Sequence, residues 1–153
     1  MSNRTIATNR KAFHNYHIGE GIEAGIALSG TEIKSLRGGR MSLGDAYVKS
    51  EAGELWLYNA HIARYEAAGR QSHDPLRKRK LLLHRREIAA LSRKINEKGF
   101  TLLPIKIYLK GHLAKVQIAP GKGKKQYDKR EVMARREIDR ELGRTLKKRL
   151  SHK

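Results

Sequence analysis

Acid–base and metal chemistry in this chain would have to come from seven histidines (His14, His17, His61, His73, His84, His112 and His152) and fifteen carboxylates. No two of those histidines bracket a glutamate as HExxH, the helical spacing that places two imidazoles on one zinc ion. Cysteine is absent, so thiolate zinc sites and thiol nucleophiles are excluded. His14 and His17 are the closest pair, and they read as polar rim residues rather than ligands. Glu20, Glu23 and Glu32 are the carboxylates a metal-dependent nuclease could use. Glu32 is accounted for as a helix cap. Glu20 and Glu23 stand an odd number of residues apart, so on a strand they point to opposite faces. Gly19-Glu20-Gly21 lacks the third glycine of a dinucleotide fingerprint, because Ala24 holds that place. Gly121-Lys122-Gly123-Lys124-Lys125 lacks the Ser/Thr that completes a phosphate-binding loop. The residues therefore predict neither an enzyme nor a cofactor.

What the chain does offer is cationic. Arg77-Lys78-Arg79-Lys80, with Arg85-Arg86 shortly after, forms a dense basic cluster beside Pro75, and Lys34 and Arg37 lie one turn apart on a predicted helix. Lysine and arginine pair with phosphate, and the aromatics Tyr16, Tyr47, Trp56, Tyr58 and Tyr65 are of the type that stacks on bases. Trp56 and Tyr58 share one strand face and fit a sheet wall equally well, so no stacking role follows for them.

The whole composition points the same way. Among 153 residues, 34 are basic and 15 acidic, a net charge of +19, and 39% are hydrophobic. A charge of this size steers polyanions into contact and makes their binding salt-sensitive. No apolar run reaches the roughly 20 residues of a membrane span, and the N-terminal Met1-Ser2-Asn3-Arg4-Thr5 leads into no signal-like apolar segment. A cytoplasmic location with a polyanionic partner is expected. The charge is concentrated: residues 120–153 hold 13 basic and 5 acidic residues, a net +8. Their few large apolar residues cannot offset an ordering entropy of about 1–2 kcal/mol per residue. Residues 1–120 are therefore expected to be a folded domain and 121–153 a basic tail, disordered when free or helical when bound.

The elements that must position these residues follow from periodicity. Alternating apolar residues over 14–28 predict a strand. Ser29-Gly30-Thr31-Glu32 is a capping-box start for a helix over 30–37, stopped by Gly38-Gly39. Ala46, Val48, Leu55 and Leu57 alternate around Glu51-Ala52-Gly53-Glu54 and predict a hairpin. Residues 60–65 continue that strand or start another, and 66–79 reads as loop. Ile88, Leu91 and Ile95 mark one face of a helix ending at Gly99. Strands follow at 100–109 and 112–119, with Pro104 marking a weak ladder position or a bulge. Five or six short strands and two helices predict a mainly β fold: a small barrel of the oligonucleotide-binding type with flanking helices. In the tail, Asp128 and Glu131 resemble a cap for a helix from about 129, with Ile138, Leu142, Leu146 and Leu150 as its stripe.

Specific words of the sequence narrow the class. Asn9-Arg10-Lys11-Ala12, Glu23-Ala24-Gly25-Ile26, Gly30-Thr31-Glu32-Ile33-Lys34-Ser35-Leu36-Arg37, Asp74-Pro75, Arg79-Lys80-Leu81-Leu82-Leu83 and Gly123-Lys124-Lys125-Gln126-Tyr127-Asp128-Lys129-Arg130 occur in this order. Together they resemble the SmpB family, the small protein partners of bacterial transfer-messenger RNA (tmRNA), over about residues 5–131. The resemblance implies a barrel that grips the tRNA-like domain of tmRNA. The complex, carried by EF-Tu and charged by alanyl-tRNA synthetase, then enters 70S ribosomes stalled on broken mRNA. There the protein stands in for the anticodon arm, its tail lies in the decoding centre and empty mRNA channel, and the nascent peptide is tagged for degradation.

Carried over residue by residue, the family's RNA grip falls on Asn9, Glu23, Leu82 and Lys115. Lys34, Arg37, Arg79 and Lys80 are added here from charge and position. The ribosome-engaging segment falls on Lys124, Lys125, Tyr127, Asp128, Lys129 and Arg130. The protein is expected to be a monomer with no membrane partner. A general basic RNA-binding barrel, such as a ribosomal protein, is the alternative. Two departures from the family pattern stand out. Tyr127 replaces a usual His, which puts a proton-dependent role there in doubt. Ala119-Pro120-Gly121 replaces a Gly-aliphatic-Ala stretch, and because proline has no N–H the last strand is expected to end at Pro120.

Overall fold

A computed structural model describes residues 3–97 and 99–124 of the chain. The chain divides into a unit spanning Met1–Gly123 and the segment Lys124–Lys153. The expected tail helix and the residues Lys125, Tyr127, Asp128, Lys129 and Arg130 lie outside the described residues.

Ten strands and three α-helices are seen among the described residues: β1 (Asn3–Thr8), α1 (Arg10–Asn15), β2 (Tyr16–Ile18), β3 (Ile22–Ile26), α2 (Gly30–Arg37), β4 (Met41–Ser42), β5 (Tyr47–Glu51), β6 (Glu54–Tyr58), β7 (His61–Ile62), β8 (Arg79–Leu82), α3 (Arg85–Ile95), β9 (Phe100–Lys110) and β10 (Leu113–Gly123). A 3₁₀ turn occupies Glu66–Gln71. The sheet runs β9-β5-β6-β8-β3-β10, and β10 pairs back onto β9, so six strands close into a barrel. β1 flanks β9 and β2 flanks β10; β4 and β7 form a separate pair. This is the expected mainly β barrel with flanking helices.

Alternation explains the inside. Leu55 and Leu57 of β6 are fully buried, while Glu54, Trp56 and Tyr58, which alternate with them, face outward. Val48, Leu81, Leu102, Ile107, Val116 and Ile118 complete the interior, with Leu36 of α2 and Leu91 of α3 packed against them. Burying each Leu or Ile stabilises the barrel by about 1.5–3 kcal/mol. The β5–β6 hairpin forms as expected: Ala52 and Gly53 take positive φ (51° and 76°), the backbone that two-residue turns require. Helix α2 begins with the expected capping box, Ser29 accepting from the Glu32 N–H and Glu32 accepting from the Ser29 N–H.

Four expectations are corrected. The strand expected over 14–28 is interrupted: residues 10–15 form α1, and Gly19–Gly21 separate β2 from β3. β1 and β8 are additional strands. β8 begins inside the basic run, because Arg79 and Leu81 point inward while Lys80 and Leu82 point outward. Finally, β10 does not stop at Pro120 but runs on to Gly123. The Pro120 carbonyl accepts from the Gly19 N–H at 2.8 Å. The edge of Pro120 that lacks a donor therefore faces the break between β2 and β3, and no ladder bond to β9 is lost. Pro104 does mark a bulge. The β9–β10 register passes from Lys106↔Gln117 to Pro104↔Ile118, leaving Ile105 as the extra residue.

Candidate nucleic-acid interface

Three strands bring together residues that are far apart in sequence. In the ladder Lys115 of β10 is opposite Gly25 of β3, and Gly25 is opposite Leu82 of β8. Gln117 is opposite Glu23. Glu23, Gly25, Leu82 and Lys115 consequently line one open groove, whose far wall is Leu83, His84 and Glu87 at the start of α3. Gly25 is the floor: a Cβ there would lie 3.2 Å from the Leu82 Cβ. Leu82 is 53% exposed and shares the outer face of β8 with Lys80.

Glu23 is held from its own side of the barrel. The Tyr108 hydroxyl of β9 donates to Glu23 Oε1 at 2.5 Å, and Lys110 Nζ stands 3.7 Å from Oε2. The Tyr108 hydrogen bond, working against a burial penalty and aided by Lys110 and Lys115, holds the Glu23 carboxyl below its ordinary value. Burial, and then Glu23 itself, pushes the Tyr108 hydroxyl up to about 12. The groove thus presents a fixed anionic acceptor, a lysine for phosphate and an exposed apolar side chain for a base or ribose face.

The other expected RNA contacts divide. Asn9 is 2% exposed and serves inside the protein. It caps α1 by accepting from the Ala12 N–H at 3.1 Å, and its amide donates to the Pro104 carbonyl at 2.8 Å. Its backbone N–H takes the Ile105 carbonyl, so Asn9 ties α1 to the β9 bulge. Lys34 and Arg37 are exposed on α2, with the Lys34 ammonium 5.2 Å from the Tyr65 ring centre, and neither lines the groove. Lys80 is half-buried beside Glu54, 3.8 Å away, on the same face of β8 as Leu82.

Arg79 is a correction: its side chain is fully buried and reaches no phosphate. Its Nε donates to Glu32 Oε2 at 2.5 Å, Nη1 to the Ala60 carbonyl at 2.6 Å and Nη2 to the Pro75 carbonyl at 3.2 Å. Arg77 donates to the other Glu32 oxygen at 2.5 Å. Lys78 pairs with Glu51 at 3.0 Å and lies 4.7 Å above Trp56. The basic run is thus spent mostly on internal pairing. Tyr47 and Tyr58 stack at 5.4 Å on the outer wall.

Lys124 ends the described chain and is half-buried. Tyr108, His84 and Glu87 were not assigned to the site by the sequence reading. Tyr108 lies 85 residues from Glu23, and only the β3–β10–β9 pairing brings them together. Among the described residues no cluster of three or more metal-ligating side chains occurs, and no helix is long and apolar enough to cross a membrane.

Barrel and groove define a protein of the oligonucleotide-binding class. The family model described as SmpB protein matches residues 6–148, and the chain belongs to that family, whose members bind RNA and are not enzymes. It is 60% identical over 143 residues to the SsrA-binding protein of Dehalococcoides mccartyi strain 195, covering 94% of this chain and 83% of that one. It is 56% identical over 146 residues to the SsrA-binding protein of Carboxydothermus hydrogenoformans, covering 95% and 98%. Its fold is similar to a solved chain from "tmRNA-SmpB: a journey to the center of the bacterial ribosome", with a TM-score of 0.67 at 48% identity, over 78% of this chain and 85% of that one.

Proposed function

We propose that this protein binds the tRNA-like domain of tmRNA through the β3–β8–β10 groove and carries it into stalled 70S ribosomes for trans-translation. The observation that carries the proposal is the convergence on one groove of Glu23 and Leu82, from separate sequence words, and Lys115, carried over with them from the family's RNA grip. Lys115 meets a phosphate, Glu23 accepts from base or ribose donors, and Leu82 packs on the nucleotide between them. Asn9 contributes by fixing α1, and Lys34, Arg37 and Lys80 add electrostatic attraction from outside the groove.

The reading gives the two parts of the chain separate work. Residues 1–120, with β10 completing them, hold the RNA in place of an anticodon arm. The basic segment 121–153, led by Lys124, Lys125, Tyr127, Asp128, Lys129 and Arg130, enters the decoding centre and the empty mRNA channel. EF-Tu and alanyl-tRNA synthetase act through the RNA, and the work takes place in the cytoplasm. The protein makes and breaks no covalent bond.

The test is tmRNA affinity at matched salt. Lys115→Ala is expected to weaken binding about tenfold and Glu23→Gln by a similar factor, the worth of one charge-assisted contact. Affinity unchanged in both variants would remove the groove as the contact surface.

A further inference from the structure

We infer that Tyr108 is a positioning residue for RNA recognition: from β9, across β10 on the same outer face, its hydroxyl fixes Glu23 in one rotamer, so that Oε1 is committed to the protein and Oε2, which Lys110 Nζ faces at 3.7 Å, is turned to meet the RNA. The inference rests on the reading of the groove as the RNA contact.

A glutamate at a strand surface ordinarily samples several rotamers, and a ligand that needs one of them must bear the cost of selecting it. Here the selection is made in advance. Tyr108 is 8% exposed and stands on the outer face of β9, because Ile107 and Leu109 on either side of it point into the barrel. Its register partner is Lys115 of β10, and Glu23 lies on the next strand beyond. The hydroxyl reaches across β10 to Oε1 at 2.5 Å. Tyr108 does not line the groove and is almost fully covered, so its hydroxyl acts on the RNA through Glu23.

The charged and titratable groups around Glu23 are Tyr108 and Lys110 of β9, Lys115 of β10, and His84 and Glu87 across the groove at the start of α3. Lys110 and Lys115 favour the carboxylate, and so does the Tyr108 hydroxyl. Removing that hydroxyl leaves both lysines in place. It moves the Glu23 titration toward the ordinary glutamate value and frees the side chain to rotate.

The experiment uses full-length Tyr108→Phe, Glu23→Gln and the double variant. Binding to transcribed tmRNA is measured at fixed ionic strength across the acid range, and the Glu23 carboxyl is followed by carbon NMR in the free protein. Tyr108→Phe is expected to weaken binding about fivefold near neutrality. It should also raise both the Glu23 midpoint and the pH at which binding begins to fail on acidification. In the Glu23→Gln background the same change should cost nothing further.

If Glu23→Gln weakens binding and Tyr108→Phe does not, the positioning role is wrong while the groove stands. If Tyr108→Phe weakens binding equally with and without Glu23, the tyrosine acts independently and the inference falls. If Glu23→Gln binds like the parent, the groove reading fails and this inference fails with it. The parent protein alone provides one more check, which does not depend on any variant folding: a Glu23 carboxyl that titrates at the ordinary glutamate value would overturn the clamp.

Discussion

Arg79 and Lys80 are neighbours in the chain and opposites in the barrel, because successive strand residues face opposite ways. The guanidinium that reads from sequence as part of an RNA-binding cluster is the most deeply placed charge described, and its partner Glu32 is equally buried. Burial alone would push the Glu32 carboxyl up, but hydrogen bonds from Arg77, the Ser29 N–H and Arg79 outweigh it and hold the carboxyl at about 2, against 4.5 unperturbed. A folded-state value below the unfolded one stabilises the protein above pH 4.5 and is lost as pH falls toward 2, a contribution of about 3 kcal/mol. Glu32→Gln should therefore lower stability at pH 7 by about 3–5 kcal/mol, since it strands a buried arginine. It should also flatten the acid limb of the stability profile below pH 4.5. Urea unfolding of both proteins from pH 7 to pH 2.5 measures this; a variant that keeps the parent's slope would show that Glu32 is not the group titrating.

At the scale of elements, what was legible in the sequence was what local chemistry dictates. The Ser29–Glu32 box starts α2, Ala52-Gly53 turns the hairpin, and the Ile88, Leu91 and Ile95 stripe lays α3 on the barrel. What was hidden depended on distant partners. β1 is a mostly polar strand whose pairing with β9 gives it form. β8 begins with two cations, one of which is inside only because Glu32 is there to receive it. Pro120 could stay in a strand because β2 turns away beside it. The groove was half legible: its residue types were on the page, but the row Lys115–Gly25–Leu82 exists only through register. Gly25 has an element-scale consequence. Alanine there sets a methyl 3.2 Å from the Leu82 Cβ, so the β3–β8 seam or the leucine must give by a few tenths of an ångström. Because Gly→Ala also restricts the unfolded chain by about 0.4–1 kcal/mol, Gly25→Ala should leave thermal stability nearly unchanged while reducing tmRNA affinity several-fold. Calorimetry and a binding titration on the same preparation test this; unaltered affinity would mean that the groove floor is not in contact with RNA.

For the whole molecule the question is how a charge of +19 yields selective binding rather than attachment to any polyanion. Counterion release depends on how many phosphates are neutralised and ignores sequence. On the proposed reading the groove supplies what that term lacks, a fixed acceptor and an apolar contact beside one lysine. The charge outside it supplies rate and bulk affinity. If the two are carried by different parts of the chain, truncation separates them. Removing residues 127–153 deletes 10 basic and 5 acidic residues and takes the net charge from +19 to +14. All described residues remain, including the groove. Affinity for tmRNA at physiological salt should fall only slightly, whereas affinity for an unrelated RNA of equal length should fall with a visibly shallower salt slope. Peptide tagging on stalled ribosomes should be lost, because the segment proposed to occupy the decoding centre is gone. If tagging survived the truncation, the barrel alone would be the rescue factor. If tmRNA and unrelated RNA weakened in parallel, selectivity would reside in the tail, and the groove would be one more basic surface on a basic protein.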